Sequence, residues 1–303
     1  MATERKHISV CICSYRRPHL LKRLLETLGP QDTGGSFTYS IVVVDNDHRR
    51  TAEAVVRDFA AASPIPVTYC VEPRQNIARA RNRAVENADG DFVAFIDDDE
   101  FPTTQWLLNL YEACHKYDVD GVLGPVKPHF DEQPPEWVVK GKFYDRPTYP
   151  TGFVIDWVKG RTGNVLLRRQ ILAASGQPFN PEFLTGEDQD FFRRMIEKGH
   201  VFTWCNEAVA YESVPPGRWK RTFMLRRALL SGAISAVQPT FGPLKIGKSL
   251  LAVLVYGAWL PLAFALGHDK FMRCLVSLFD HLGGLLALLG IRPIKEAYVT
   301  DQS

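Results

Sequence analysis

The sequence predicts a doubly wound α/β domain followed by a hydrophobic helical tail. Three observations carry this reading: four apolar runs that each lead into a helical pattern, polar residues gathered just after those runs, and a change of character near residue 239. Strands that are apolar on both faces and separated by helices imply a mostly parallel sheet covered on both sides.

The elements follow in order. "HISVCICS" reads as the first strand, and Pro18 then opens a helix whose Leu21, Leu24, Leu25 and Leu28 share one face. "YSIVVVDND" is the second strand, with a helical stretch from Thr51 to about Ala62. "VTYCVE" is the third, followed by "NIARARNRAVENA", and "DFVAFI" is the fourth, followed by "TTQWLLNLYEACHKY". The doubly wound pattern covers residues 8–127. The domain division expected from the sequence is a catalytic domain over 1–238, in halves of about 1–127 and 128–238, and a helical region over 239–303.

Composition excludes some classes. The 36 basic and 34 acidic residues among 303 nearly cancel, so no global signature of nucleic-acid binding exists and no nucleic-acid partner is expected. Six cysteines form no C-x-x-C pair and no zinc-type spacing with histidine, which argues for reduced thiols in a cytosolic compartment. "MATERKH" runs straight into the first strand and leaves no room for a secretion signal, so the first domain is expected to face the cytoplasm.

Chemistry gathers at the strand ends. Ser14, Tyr15 and Arg16 follow the first strand, Asp45, Asn46 and Asp47 the second, Glu72 the third, and Asp97 to Glu100 the fourth. Open α/β sheets bind ligands at that edge, although each residue taken singly also suits a turn or a helix cap. The acid run in "FVAFIDDDEFP" is different, because adjacent aspartates repel unless a cation or protons neutralise them. A divalent ion, Mg2+ or Mn2+, takes one or two carboxylates and completes its shell with water and phosphate oxygens. On an extended backbone Asp97 and Asp99 share one side and Asp98 points the other way, a D-x-D pattern. Neither a P-loop nor a G-x-G-x-x-G fingerprint is present to hold the implied phosphate.

Taken in order, "VCICSYRRPHLLKRLLETL", "IVVVDND", "NIARARNRAVENADGDFVAFIDDDEFP", "RTGNVLLRR" and "FLTGEDQDFFRRMIEKG" resemble the family 2 glycosyltransferases, with their nucleotide-sugar-binding GT-A fold. The likeness spans roughly residues 8–230 and extends to bacterial sugar transferases of exopolysaccharide synthesis. It implies a nucleotide diphosphate sugar as donor, a UDP-sugar favoured, and a saccharide acceptor. It implies that Asp45 contacts the base, that Arg81 and the Ser14–Arg16 loop line the same pocket, and that Asp97 and Asp99 hold the metal, with Asp98 among the donor-binding residues. Glu187 and Asp188 then supply the acceptor side.

Chemistry alone supports part of that assignment. Sugar transfer needs a cation at the leaving diphosphate and a base for the acceptor hydroxyl. In "TGEDQDFF", Thr185 reads as the N-cap of a helix running to about Lys198, and acids in its first turn are also favoured by the dipole alone. With a metal site on the donor side, the expectation is Asp188 as base and Glu187 as partner of the acceptor hydroxyl, in an inverting displacement. "RTGNVLLRR" reads as a strand returning to the active edge, with Thr162, Gly163 and Asn164 near the acceptor. The segment "HFDEQPPEWVVKGKFYDRPTYPTG" is too irregular for regular structure, and its Trp137, Phe143, Tyr144 and Tyr149 either stack on sugar or anchor the loop. Glu212 and Arg218 follow a short strand; the resemblance implies that this region closes over the diphosphate with Arg218 as a phosphate ligand, while the residues themselves suit a solvated basic face equally.

From Ser249 to Gly267 the chain carries no charge and as a helix would span about 28 Å, close to the hydrocarbon core of a bilayer. The run "CLVSLFDHLGGLLALLGI" contains Asp280 and His281, and an acid there costs on the order of 3 kcal/mol for insertion. Basic residues precede the pair (Arg226, Arg227, Lys245, Lys248) and follow it (Arg292, Lys295). The expectation is a hairpin or two interfacial segments on the cytoplasmic face of the cell membrane, or a hairpin buried on the catalytic domain, with a lipid-linked acceptor. Two other functions stand beside this reading. A nucleotidyltransferase would carry a glycine-rich loop after the first strand, where "SYRRPHLL" has none, and a non-catalytic membrane-associated nucleotide-sugar-binding protein would tolerate loss of the acids.

Overall fold

The computed structural model describes residues 5–174, 176–183, 185–236, 242–291 and 294. The chain forms two compact units: Met1–His129 with Arg146–Ser213, and Phe130–Asp145 with Val214–Ser303. The second unit therefore begins near 214 and takes in residues 130–145, whereas the sequence division falls at 238. Gln238 and Pro239 lie outside the described residues, as do Arg292 and Lys295.

The first unit is built on strands β1 (Lys6–Ser14), β2 (Phe37–Asp45), β3 (Val67–Val71), β4 (Phe92–Ile96), β5 (Glu100–Pro102), β6 (Gly121–Leu123), β7 (Val126–His129), β8 (Asn164–Arg168), β9 (Phe202–Trp204) and β10 (Ala210–Ser213). Its main sheet runs β3-β2-β1-β4-β8-β6-β9, and a small sheet runs β5-β10-β7. The main sheet is parallel except at β8, which runs against both β4 and β6. Helices α1 (Pro18–Leu28), α2 (Glu53–Ala62), α3 (Ile77–Glu86) and α4 (Trp106–Tyr117) fall where the sequence predicts.

Alternation along β1 divides the core. Ile8, Val10 and Ile12 face Leu21, Leu24, Leu25 and Leu28 of α1 together with Trp106 and Leu110 of α4. Cys11, Val42 and Val44 face the alanines of α3 on the other side of the sheet. Complete burial of a leucine contributes about 1.5–3 kcal/mol, and all four leucines of α1 are fully buried. Asn76 caps α3, its side-chain oxygen accepting the N–H of Arg79 at 2.9 Å. All six cysteines are free thiols.

In the second unit the proline-rich segment contains a short helix, α5 (Glu136–Lys140), starting directly after Pro135. A second short helix, α6 (Arg169–Ala173), and α7 (Glu187–Glu197) belong to the first unit. The second unit continues with α8 (Arg221–Ala236), α9 (Pro243–Leu266) and α10 (His268–Leu288). Val138, Tyr144, Trp219, Phe223 and Met272 form its core, with Trp137 and Phe143 packed against them. Three of the four aromatics that the sequence offers for sugar stacking are thus anchors of this unit. The fourth, Tyr149, stacks on Phe153 with ring centroids 4.8 Å apart.

Candidate active site

The acids that follow β4 do not continue as a strand. The N–H of Glu100 donates to the carbonyl of Asp97 at 3.0 Å, closing a turn over 97–100. The extended-backbone argument that put Asp97 and Asp99 on one side therefore fails locally, and partners decide the directions instead. Asp98 is drawn to the end of β1, where the Ser14 hydroxyl donates to it at 2.8 Å and Arg17 at 3.2 Å. Arg17 also donates to Asp99 at 3.0 Å. Asp97 turns to α3, where Nη2 of Arg81 lies 3.5 Å from its Oδ1.

Arg81 links two parts of the site. Its other terminal nitrogen donates to Glu187, the first residue of α7. Burial opposes the guanidinium charge, but Glu187, Asp97 and Asp188 outweigh it and hold Arg81 protonated. Glu187 is itself raised above the usual carboxylate range by burial, against the pull of Arg81. The N-cap of α7 is Gly186, at φ 84°, with no side-chain cap; Thr185 does not fill that role, because the chain enters through a left-handed residue that suits glycine. Asp188 accepts the N–H of Gln189 at 2.7 Å and remains half-buried.

A third arginine completes the arrangement. Arg146 donates to Glu212 at 2.5 Å and lies 3.9 Å from Glu100. Glu100 and Glu212 face each other in the β5–β10 register. Burial pushes Glu100 well above the usual range, and its Oε1 has no hydrogen-bond partner. Burial also pushes Asp98 up to about 6, although Arg17 opposes this. Six acids, Asp97 to Glu100 with Glu187 and Glu212, thus pair with or lie beside three arginines, and a fourth, Arg161, is close enough for the charges of Asp188 and Glu212 to act on it. Sequence reasoning named Arg81 alone of the three. Arg17 could have been found as the second arginine of "SYRRP", whereas nothing in the local pattern singles out Arg146.

The antiparallel pairing of β4 with β8 brings Thr162, Gly163 and Asn164 to the acids, with Ile96 opposite Asn164. Gly163 lies against the acids: a Cβ there would sit 2.9 Å from Glu100 Oε1 and 3.0 Å from Asp97 Oδ2, so a side chain at this position would push those carboxylates aside. Thr162 is buried with its hydroxyl unpartnered. Asn164 is occupied by the scaffold, accepting Trp106 Nε1–H at 2.7 Å and donating to the carbonyls of Pro125 and Ala208 at 3.0 and 2.8 Å. Asp45 is likewise engaged: fully buried, it accepts the N–H groups of Asp47 and Ala52 and the Tyr69 hydroxyl. The carboxylate of Asp45 serves the loop after β2. Arg16, at φ 55°, turns to Asp47 at 2.9 Å and stacks over Tyr15. Arg218 belongs to the second unit, where its carbonyl accepts the Tyr144 hydroxyl at 2.6 Å.

The donor set fits a divalent ion of the magnesium type. The side chain of Asp97 keeps 42% of its surface open beside Asp99, and both offer hard oxygen. Among the described residues no group of three or more His, Cys, Asp or Glu side chains forms a cage. A site with one or two protein carboxylates, completed by water and phosphate oxygens, matches that arrangement.

Known proteins resemble the chain in sequence and in fold. The model of "Glycosyl transferase family 2" matches residues 9–172, more than half the chain. The succinoglycan biosynthesis protein ExoM of Rhizobium meliloti is 35% identical over 239 residues, covering 77% of this chain and 75% of that protein. Among solved structures, mannosyltransferase PcManGT from Pyrobaculum calidifontis, in complex with GDP-Man and Mn2+, superposes with a TM-score of 0.61 at 20% identity over 97% of this chain and 89% of that one. S. aureus TarS 1-349 in complex with UDP superposes with a TM-score of 0.54 at 18% identity, over 94% and 92%.

Proposed function

Because the chain belongs to glycosyl transferase family 2, we propose that this glycosyltransferase moves a sugar from a nucleotide diphosphate sugar to a saccharide acceptor in exopolysaccharide synthesis, inverting the anomeric carbon in one displacement. The observation that carries the reading is Arg81, which joins Asp97 on the donor side to Glu187 on the acceptor side. A single displacement requires both sides at once, and one buried guanidinium fixes their separation.

Asp97 and Asp99 would hold the divalent ion, which when bound supplies positive charge to the leaving diphosphate. Asp188, in the first turn of α7 and half-buried, takes the proton from the acceptor hydroxyl as the new bond forms. Glu187, tied to Arg81, keeps that turn of helix in register with the acids. Gly163 leaves room between the strand ends for substrate to approach Asp97. Arg17 holds Asp98 and Asp99 in place, so the acids do not spread under their own repulsion. The relative named for succinoglycan biosynthesis supports a polysaccharide acceptor, and the apolar helices support an acceptor linked to lipid at the cytoplasmic face of the membrane.

The test is a panel of nucleotide sugars, UDP-sugars first, screened by calorimetry with Mg2+, with Mn2+ and with chelator. Binding of one donor that disappears with chelator is expected. Equal donor affinity with and without metal overturns the metal-dependent part of the reading.

A further inference from the structure

The second unit has an inside-out character. From Ser249 to Gly267 α9 carries no charged residue, and only one stripe of it, through Ser249 and Ala263, is buried. Leu250, Leu254, Val255, Trp259, Leu262 and Phe264 are exposed, spread over about 220° of the helix at 100° per residue. A helix lying in a membrane interface keeps a polar face for water, and α9 has none. The polar groups of α10 instead point inward: Ser231 of α8 hydrogen-bonds Asp280, and His281 Nδ1 lies 3.1 Å from Ser249 Oγ. Glycines bring α8 and α10 to backbone contact, since a Cβ on Gly232 would overlap the Asp280 carbonyl and one on Gly283 the Leu229 carbonyl. Small residues at helix crossings and polar residues turned inward are the packing mode of helices in lipid.

The direction of the helices follows from contacts within the unit. Trp137 packs edge-on against His268, centroids 4.9 Å apart, and Met272 shares a core with Tyr144 and Trp219. The α9–α10 turn therefore lies at the end of the unit that holds residues 130–145 and 214–219, the segments joined covalently to the first unit. From that turn α9 runs about 36 Å to Pro243, more than the roughly 30 Å of a hydrocarbon core. Residues 228–244 carry no charge, so the stretch from α8 to the start of α9 can reach that far end without burying one. Lys220, Arg221, Arg226, Arg227, Lys270 and Arg273 lie toward the near end, six against the four that flank the other in sequence, Lys245 and Lys248 at the start of α9 and Arg292 and Lys295 after α10.

We propose that α8, α9 and α10 form a three-helix membrane insert whose α9–α10 turn lies on the same side of the bilayer as the nucleotide-binding unit, with Lys245 and Lys248 on the opposite side. The excess of basic residues at the near end assigns that end to the cytoplasm. The inference rests on the membrane reading above and differs from each of the arrangements expected from sequence, a hairpin or two interfacial segments on the cytoplasmic face or a hairpin buried on the catalytic domain.

The test uses the full-length chain in sealed vesicles of both orientations, with Lys248→Cys and Lys270→Cys compared with the parent chain for labelling by a membrane-impermeant maleimide. Cys at 270 should react from the side on which protease digests the nucleotide-binding unit, and Cys at 248 only from the other side. Both should react after the vesicles are opened with detergent. A chain lost through misfolding is replaced by Lys245→Cys or Asp269→Cys, which report on the same two ends. Labelling of both ends from one side overturns the topology while leaving membrane association intact. Recovery of the parent chain in the soluble fraction without detergent overturns the membrane reading itself.

Discussion

Replacing Arg81 with Met removes the guanidinium that the structure pairs with Glu187, whose carboxylate is almost completely buried. A buried charge deprived of its partner costs about 3–5 kcal/mol. Asp97 adds little to that, because its side chain is open enough to be solvated. At about 2–4 °C per kcal/mol for a unit of this size, melting should fall by roughly 6–20 °C. Glu187→Leu alone should also destabilise, since it leaves Arg81 short of its main counter-ion. The double variant Arg81→Met/Glu187→Leu removes both charges and replaces them with hydrocarbon, an exchange that is often neutral. It should recover most of the stability, so the coupling should be at least as large as the loss in Arg81→Met alone, about 3–5 kcal/mol. Thermal melting of the four proteins in detergent, followed by circular dichroism, measures the cycle. Sugar transfer should stay low in the double variant despite its recovered melting, because the link between the metal acids and α7 is gone. Additive melting losses, or full activity in Arg81→Met, would refute the reasoning.

The remaining predictions concern single residues. Asp99→Asn should weaken metal-dependent donor binding, because a charged oxygen ligand becomes neutral, and calorimetry with and without Mn2+ measures the difference. Asp188→Asn should lower transfer by roughly two to four orders of magnitude with donor affinity unchanged; retention at the anomeric carbon in the product would rule out a single displacement. Asn164→Ala leaves the Trp106 indole N–H and the Ala208 carbonyl without their partner, at about 1–3 kcal/mol each, while the Pro125 carbonyl keeps the Ala210 N–H, so melting should drop while the folded fraction binds donor normally. Gly163→Ala puts a methyl group against Glu100 and Asp97, and donor binding should fall more than stability does.

Much of the frame was legible because it follows from period and position. The leucines of α1 and the alternating faces of β1 are written directly in residue spacing, and the acids after β4 announce themselves by their charge. Local pattern could not reveal how those acids are balanced. Arg146 lies in a segment with no repeating period, and its pairing with Glu212 depends on β10 returning beside β5 from more than a hundred residues away. The same limit explains Asn164, whose place in "RTGN" suggests ligand contact but whose three hydrogen bonds come from three distant segments. Asp45 shows a related effect: a strand-end position suits both ligand binding and loop closure, and only the donors around it decide. The aromatics of residues 137–144 were ambiguous for want of a partner, which the helices after residue 214 supply.

The gathering of acids after β4 bears on which molecules can approach them. A bare nucleotide diphosphate carries the same sign of charge as those acids of the 97–100 turn that are ionised, and each close pair of like charges costs about 1 kcal/mol even at the dielectric constant of water, more where protein excludes solvent. A diphosphate stripped of its counter-ion would be repelled by these acids, whereas a neutral saccharide would not. If Asp97 and Asp99 hold the cation as proposed, the acids that accept a metal-bearing diphosphate would disfavour the same molecule without its metal.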